Sequence, residues 1–135
     1  MIAVMFEVQP SADGLAEYLD RAARLAPLLA QVDGFISVER FESLGTKGKL
    51  LSLSFWRDEE SVRAWREQER HRAAQSAGRA GVFDHYRLRV ASVIRDYGLL
   101  ERGEAPPYHA PVVASRAGSI TGSIDAAIDA PMGGK

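Results

Sequence analysis

The chain has 135 residues, a length that suits one domain able to bury its own core. It contains no cysteine, which excludes disulfide bonds, thiolate catalysis and cysteine-ligated metal sites. Its 17 basic and 18 acidic side chains give a formal net charge of −1, so no overall charge draws it to nucleic acid or to an anionic membrane.

The N-terminal segment predicts a β-strand rather than a leader sequence. Ile2, Val4, Phe6 and Val8 recur at a period of two, which is typical of a strand with one apolar face. The segment has no basic stretch, and its apolar run is too short for a signal peptide or a membrane span. We therefore expect a cytoplasmic protein with no membrane partner.

A helix is predicted next, with Ser11 and Asp13 as N-cap candidates. Its apolar stripe has three- and four-residue spacings and comprises Leu15, Leu19, Ala22, Ala26 and Leu29. Pro27 lies inside this pattern. Because proline lacks an amide donor, it predicts a kink or a fresh helix start near Ala26.

Two strands joined by a hairpin are predicted after the turn at Asp33-Gly34, which is typical of a left-handed residue past a helix end. The first strand begins at Phe35, and a glycine-containing loop at residues 45–48 leads into the second. The second strand has an apolar face and a mixed face, formed respectively by Leu51, Leu53, Phe55 and by Ser52, Ser54, Trp56.

A second helix begins after Asp58, its N-cap candidate, and extends to about residue 77. The last strand covers residues 82–94. One of its faces carries Val82, Tyr86, Leu88, Val90 and Ile94. The other face carries Phe83, His85, Arg87, Arg89, Ala91 and Val93.

The element order β-α-β-β-α-β predicts an α+β, ferredoxin-like fold, in which both helices cover one face of a four-stranded antiparallel sheet. The uncovered face would carry apolar residues, namely Met5, Trp56, Phe83, Ala91 and Val93. A single domain seldom leaves so much apolar surface in water. We therefore expect a homodimer in which the uncovered sheet faces of two copies meet.

The composition changes from Asp96, where Pro, Gly, Ser and Ala become frequent and periodicity fades. We expect residues 1–98 to form the domain. Residues 99–135 are predicted to be a tail that is either flexible or packed on the partner subunit.

Histidine is the natural acid/base candidate, because imidazole titrates near neutral pH. His71 follows Trp65 by six residues in the second helix, so their side chains are offset. In one interpretation Trp65 forms the wall of a pocket for a flat substrate, with His71 as base or ligand at its mouth. In the other, Trp65 is a core residue and His71 is a solvated helix residue.

Tyr86 would orient a ligand through its hydroxyl if it points under the helices; otherwise it is a half-buried core tyrosine. The second helix is also basic, through Arg66, Arg70, Arg72 and Arg79. Because Glu67 and Glu69 are interleaved, this surface is either a solvated, self-paired face or a site for an anionic ligand. No metal-binding, phosphate-loop or GxSxG motif is present, so we predict no metal site.

Several short motifs resemble the antibiotic biosynthesis monooxygenase family over residues 1–98. They are DGF at residues 33–35, SFWxDEESxxAW at 54–65, HRxxQ at 71–75 and FxxYRxRV at 83–90. The resemblance implies a dimeric α+β barrel. It also implies one of two activities, since some members are cofactor-independent oxygenases of polycyclic aromatic compounds and others bind and degrade haem.

The haem-degrading branch uses an asparagine near the end of the first strand, a helix tryptophan and a histidine about ten residues later. Trp65 matches the tryptophan, whereas Glu7 and Gln75 stand at the other two places. In that reading His71 would be the axial ligand from a position one helical turn earlier.

Our leading hypothesis is a cofactor-independent monooxygenase that acts on a small hydrophobic aromatic substrate and molecular oxygen. His71 would be the base and Tyr86 an orienting hydrogen-bond donor. The predicted substrate contacts are Phe6, Phe55, Trp65 and Arg72. The alternatives are a haem-binding or haem-degrading enzyme and a non-enzymatic dimer that binds a small ligand.

Overall fold

The computed structural model describes residues 1–75 and 82–107, with the backbone alone at 73–75. These residues form β1 (Ile2–Pro10), α1 (Gly14–Leu29), β2 (Phe35–Glu42), β3 (Leu50–Trp56), α2 (Glu59–Gln75) and β4 (Phe83–Ser92). The strands form one antiparallel sheet in the order β2-β3-β1-β4, which confirms the predicted ferredoxin-like α+β fold. None of the described helices combines the length and the apolar character needed to cross a bilayer.

Helix α1 begins where the chain passes close to the start of the last strand. The N–H of Ser11 donates to the carbonyl of Val82 at 3.0 Å, and a Cβ on Gly14 would lie 2.2 Å from that same oxygen. The backbone therefore requires glycine at position 14. The helix continues through Pro27, which lies in its last turn, and ends at Leu29, so the fresh start predicted near Ala26 is not present.

The start of α2 is fixed by a network of ionic and polar groups. Asp58 is the N-cap as predicted, because its carboxylate accepts from the backbone N–H and the hydroxyl of Ser61 at 2.8 and 2.6 Å. Arg57 donates two hydrogen bonds of 2.9 Å to Asp33. Gly34 has φ +85°, and a Cβ there would lie 2.0 Å from Ser61 Oγ. The predicted end of α2 near residue 77 lies outside the described residues.

Trp56 lies under the helices, which corrects its predicted place on the uncovered face. It is 2% exposed and packs with Leu29 of α1 and Val62 of α2. Residues opposite each other in neighbouring strands share a face, and Trp56 stands opposite Ile2. The mixed face of β3 is therefore the one that the helices cover. Its apolar face is turned the other way.

Phe83 also lies on the helix side, contrary to the prediction for β4. The register of β1 against β4 shifts between Gln9 and Pro10, so that Phe83 stands opposite Pro10. A bulge of this kind turns one side chain to the other face of the sheet. The ring of Phe83 consequently lies 5.8 Å from those of Tyr18 and Phe6, measured between centroids.

The sheet face turned away from the helices carries half-buried apolar residues, namely Met5, Leu51, Leu53 and Phe55. Among them, Glu7 forms ion pairs with Lys49 at 2.7 Å and with Arg89. The pairing of two copies through this face stays a prediction.

The chain divides into two compact units, Met1–Asp96 and Tyr97–Lys135. The second is described only at residues 97–107, where the N–H of Gly98 donates to the carbonyl of Glu101 at 2.8 Å and the Arg102 guanidinium lies 5.8 Å from the Tyr97 ring. Residues 108–135 of the predicted tail lie outside the described part of the chain, and the boundary at residue 98 stays a prediction.

Candidate functional site

A cavity of about 290 Å³ lies between the helix-covered face of the sheet and the two helices. Its volume is at the lower end of the range for small-molecule sites. The sheet contributes Val4, Val38, Arg40, Ser52, Ser54, Trp56, Leu88 and Val90. Helix α1 contributes Ala22, Leu25, Ala26 and Leu29, and α2 contributes Val62, Trp65, Arg66 and Glu69.

Small side chains on facing elements keep this space open. Ser52 and Ser54 occupy the helix side of β3, and Ala22 and Ala26 face them from α1. Ser54 Oγ accepts a hydrogen bond of 2.9 Å from the indole nitrogen of Trp56, so the buried indole N–H is satisfied. The lining is therefore largely apolar, with a few polar groups at defined places.

Glu69 is the carboxylate among the described lining residues. It forms an ion pair with Arg72 at 2.8 Å, and Arg21 of α1 approaches it at 4.0 Å. The Arg72 guanidinium also lies 5.5 Å from the centroid of the Trp65 ring. Arg72 itself is not among the described lining residues, but it contacts two that are, Glu69 and Trp65.

Of the residues predicted to form the site, the structure places Trp65 in the cavity wall. Phe6 and Tyr86 form a neighbouring aromatic cluster with Phe83, and their own centroids are 5.8 Å apart. Tyr86 is 60% exposed, and neither it nor Phe6 is among the described lining residues. The predicted set is thus divided between the cavity and an adjoining cluster.

Two other predicted site residues lie away from the cavity. His71 is exposed on α2 and is not among the described residues that line it. Phe55 stands opposite Ala3 on the sheet face that the helices do not cover. The sheet therefore separates the Phe55 ring from the space where a substrate would bind.

The described lining does not fit a haem held by an imidazole. No histidine is present among the lining residues that the structure describes, and Glu7 is on the opposite sheet face with its carboxylate paired to Lys49 and Arg89. Within residues 1–75 and 82–107, no three His, Asp or Glu side chains are grouped as a metal site would require.

The groups with displaced pKa values lie outside the cavity lining. Hydrogen bonds from Ser61 and then Arg57 hold the pKa of Asp58 well below its ordinary value. Hydrogen bonds from Arg57 lower the pKa of Asp33, and those from Lys49 and Arg89 lower the pKa of Glu7. These shifts belong to ion pairs outside the cavity lining, so they identify no base within it.

Sequence reasoning missed the lining residues Arg40, Ser52, Ser54 and Glu69 as members of the site. A helical stripe at spacings of three and four was the available signal for α2, since Val62, Trp65, Arg66 and Glu69 follow it. His71, six residues after Trp65, falls outside that stripe. For Arg40, the signal was its position two residues after Val38 in β2. Residues two apart in a strand share a face, and this face is the one that the helices cover.

Comparison with known proteins gives a consistent family assignment. The sequence profile of the family described as antibiotic biosynthesis monooxygenase matches residues 1–77. A protein of Pyricularia oryzae (strain 70-15) named jasmonate monooxygenase ABM is 48% identical over 93 residues, which is 69% of this chain and 43% of the relative. This chain thus spans less than half the length of that relative. The uncharacterized protein YqjZ of Bacillus subtilis (strain 168) is 32% identical over 78 residues, covering 58% of this chain and 67% of that protein.

Solved structures share the fold at low sequence identity. The haem degrader MhuD from Mycobacterium tuberculosis, with two haems bound in its active site, has a TM-score of 0.56 at 20% identity over 73% of this chain and 100% of that one. A mutant of SnoaB, a cofactor-independent oxygenase from Streptomyces nogalater, has a TM-score of 0.56 at 15% identity over 70% of this chain and 94% of that one. At such identities the similarity concerns the fold alone.

Proposed function

Because this chain belongs to the antibiotic biosynthesis monooxygenase family, we propose that it is a monooxygenase acting on a compact, largely apolar ring compound. The observation that carries the proposal is the cavity beside Trp65, whose largely apolar lining suits a small hydrophobic substrate. The 48% identity to a protein named jasmonate monooxygenase supports the reaction class.

The reaction we propose needs no cofactor when the substrate itself supplies electrons. A ring CH2 next to activating groups loses a proton to a base, and the carbanion reacts with O2. The CH2 group and O2 then become a carbonyl and water, so atoms and electrons balance without an added reductant. A dry, apolar cavity favours this course because it excludes water from the reactive anion.

We propose Glu69 as the proton acceptor in place of His71. Glu69 lines the cavity on the same side of α2 as Trp65, whereas His71 is exposed outside the lining. A general base must lie within hydrogen-bond reach of the proton it removes. Arg72 would hold the Glu69 carboxylate in place through their 2.8 Å ion pair.

The remaining predicted residues keep supporting roles in this proposal. Trp65 would be the wall against which a flat ring packs. Phe6 and Tyr86 would close the side of the site nearest β4, where Leu88 and Val90 already line it. We also retain the prediction of a homodimer.

Oxygen incorporation tests the proposed function directly. The full chain would be incubated under ¹⁸O₂ with anthrone-like and quinol compounds and with jasmonate, each with and without NADH, and products analysed by mass spectrometry. We expect one labelled oxygen atom in a product of at least one compound. Absence of label with every compound would contradict a monooxygenase.

Two variants identify the base. We expect Glu69→Gln to lower the rate of oxygen uptake by about 10²- to 10⁴-fold, the usual range for loss of a general base, and His71→Gln to lower it far less. The reverse order would restore His71 as the base. A Soret shift on adding haem that disappears in His71→Gln would instead favour the haem-binding alternative.

A further inference from the structure

We propose that the ligand of this cavity is a hydrophobic carboxylic acid whose carboxylate binds Arg40 and Arg66 at the cavity mouth. The inference rests on the proposed function insofar as the ligand is the substrate. It goes further in specifying an anionic head group and the two side chains that recognise it.

The two arginines approach the cavity from different elements. Arg40 comes from β2 and Arg66 from α2, and both line the space while remaining exposed to solvent. Because both residues line the cavity and yet are exposed, we infer that their guanidinium groups lie where the cavity opens. A ligand with its charge there would keep that charge hydrated, which avoids the cost of burying an anion among apolar side chains.

Neither guanidinium has an anionic partner in the described part of the chain. Glu69 is the carboxylate that shares the cavity with them, and it is engaged by Arg72 at 2.8 Å and approached by Arg21 at 4.0 Å. Arg40 contacts the ring of Tyr18 at 5.8 Å instead of a carboxylate. The mouth of the cavity therefore carries two positive charges that protein carboxylates do not neutralise.

Arg40 is also held in a defined position. Tyr18, over which it lies, is 8% exposed, and its ring packs edge-on against Phe83. A guanidinium stacked on a fixed ring loses less conformational freedom when it binds a ligand. Guanidinium groups bind carboxylates through paired hydrogen bonds, which makes arginine better suited to this head group than lysine.

The interior of the cavity fits the other end of such a ligand. The sheet lines the cavity with Val4, Val38, Leu88 and Val90, and α2 contributes Trp65. Apolar walls below a cationic mouth favour an amphipathic molecule, with the ring inside and the acid group outside.

The test compares an acid with its methyl ester. Jasmonate and its methyl ester have the same apolar body, and only the acid is charged at neutral pH. Binding of both to the full chain would be measured by titration calorimetry for wild type, Arg40→Gln and Arg66→Gln. Arg70→Gln is the matched control, because Arg70 is an exposed arginine on the same helix that does not line the cavity.

We expect wild type to bind the acid roughly tenfold or more tightly than the ester, as one charge-assisted contact implies. Arg40→Gln and Arg66→Gln should each reduce affinity for the acid by about fivefold to tenfold and leave ester affinity unchanged, while Arg70→Gln changes neither. Arg40→Lys should retain part of the preference for the acid.

Three outcomes would overturn the inference: equal binding of acid and ester by wild type, binding of neither, or an equal loss of acid affinity in Arg70→Gln. Because this experiment measures binding alone, its result is separable from the proposed function. Acid binding through both arginines with no ¹⁸O incorporation would contradict the oxygenase and leave the inference standing. Turnover of neutral compounds with no preference for the acid would support the oxygenase and contradict the inference of a carboxylate site.

Discussion

The two faces of the sheet place their bulky side chains differently. On β3, the face under the helices carries Ser52 and Ser54 next to Trp56, while the opposite face carries Leu51, Leu53 and Phe55. An ordinary core would have the larger apolar set under the helices. Here small residues stand at the centre of the covered face, and the space they leave is the cavity. The covered face therefore leaves a space about 290 Å³ in volume beside its packed part.

The two sides of the sheet also differ in the pairing of some of their charged side chains. On the uncovered face, Glu7 is paired with both Lys49 and Arg89. On the helix side, Arg40 of β2 and Arg66 of α2 line the cavity without a carboxylate partner among the described residues. The two cationic groups beside the cavity are those to which we assign ligand recognition.

The largest expected effect is on stability, from removing Trp56 of β3, the most buried aromatic side chain among the described residues. Trp56→Ala should lower the free energy of unfolding by about 3–5 kcal/mol, because the side chain is buried and its removal leaves a void. Phe55→Ala, the adjacent aromatic residue on the other face, should cost about 1–2 kcal/mol because its ring is half-buried. Urea unfolding followed by circular dichroism measures both.

The same pair of variants tests whether a second copy covers the uncovered face. If a second copy covers this face, Phe55→Ala should lower the free energy of unfolding nearly as much as Trp56→Ala. The unfolding midpoint would then depend on protein concentration. A loss for Phe55→Ala larger than that for Trp56→Ala would contradict the placement of Trp56 in the core and of Phe55 on the less buried face.

An intermediate effect is expected on ligand binding. Ser52→Leu places bulk in the cavity and should weaken binding of jasmonate by at least about tenfold, while lowering stability by no more than roughly 1–3 kcal/mol. Ser37→Leu is the matched control, because Ser37 is exposed on β2 opposite Phe55, on the uncovered face. Calorimetric titration of both variants decides the point. Unchanged affinity in Ser52→Leu would mean that the ligand binds elsewhere.

The smallest effect concerns acid stability and belongs to the uncovered face. Hydrogen bonds from Lys49 and then Arg89 lower the pKa of Glu7 below its ordinary value of 4.5. Because the pKa is lower in the folded state, the contribution of Glu7 to stability is complete above the unfolded-state value. This contribution is lost as the pH falls through the pKa that Glu7 has in the folded state. Glu7→Gln should therefore show a smaller drop in urea midpoint than wild type between about pH 6 and about pH 3.

Glu39→Gln is the control for that measurement, because Glu39 lies on the same sheet face, opposite Leu53. We expect its acid profile to follow that of wild type. If Glu7→Gln and wild type lose stability in parallel, the ion pairs of Glu7 contribute nothing measurable.

The element order and the location of the helices could be predicted from sequence, because they follow from local periodicity, turns and caps. Asp58 at the start of α2 is one example, and the alternation of β1 is another. The side of the sheet that the helices cover could not be read reliably from apolarity. A strand with Leu51, Leu53 and Phe55 on one face predicts that this face is the core, and the cavity reverses that expectation.

The site was only partly predictable for a related reason. Trp65 was identified as a bulky aromatic on a helix, but its neighbours in space depend on the crossing of α2 over the sheet. Arg40, which lines the same cavity, is on a strand and precedes Trp65 by 25 residues in the sequence. The position of Phe83 depends on the shift in register between β1 and β4 at Gln9 and Pro10. The alternation of residues in β4 gives no sign of that shift.

The central place of β1 in the sheet has a consequence for how the chain folds. Its two neighbours are β3 and β4, and Ile2 stands opposite Ser92. Strand β1 therefore lacks one of its partners until β4, at the far end of the domain, has been synthesised. Closing so long a loop is entropically costly and slows folding. We expect the docking of β4 to be a late kinetic event, which leaves one edge of β1 temporarily open to pairing with other chains.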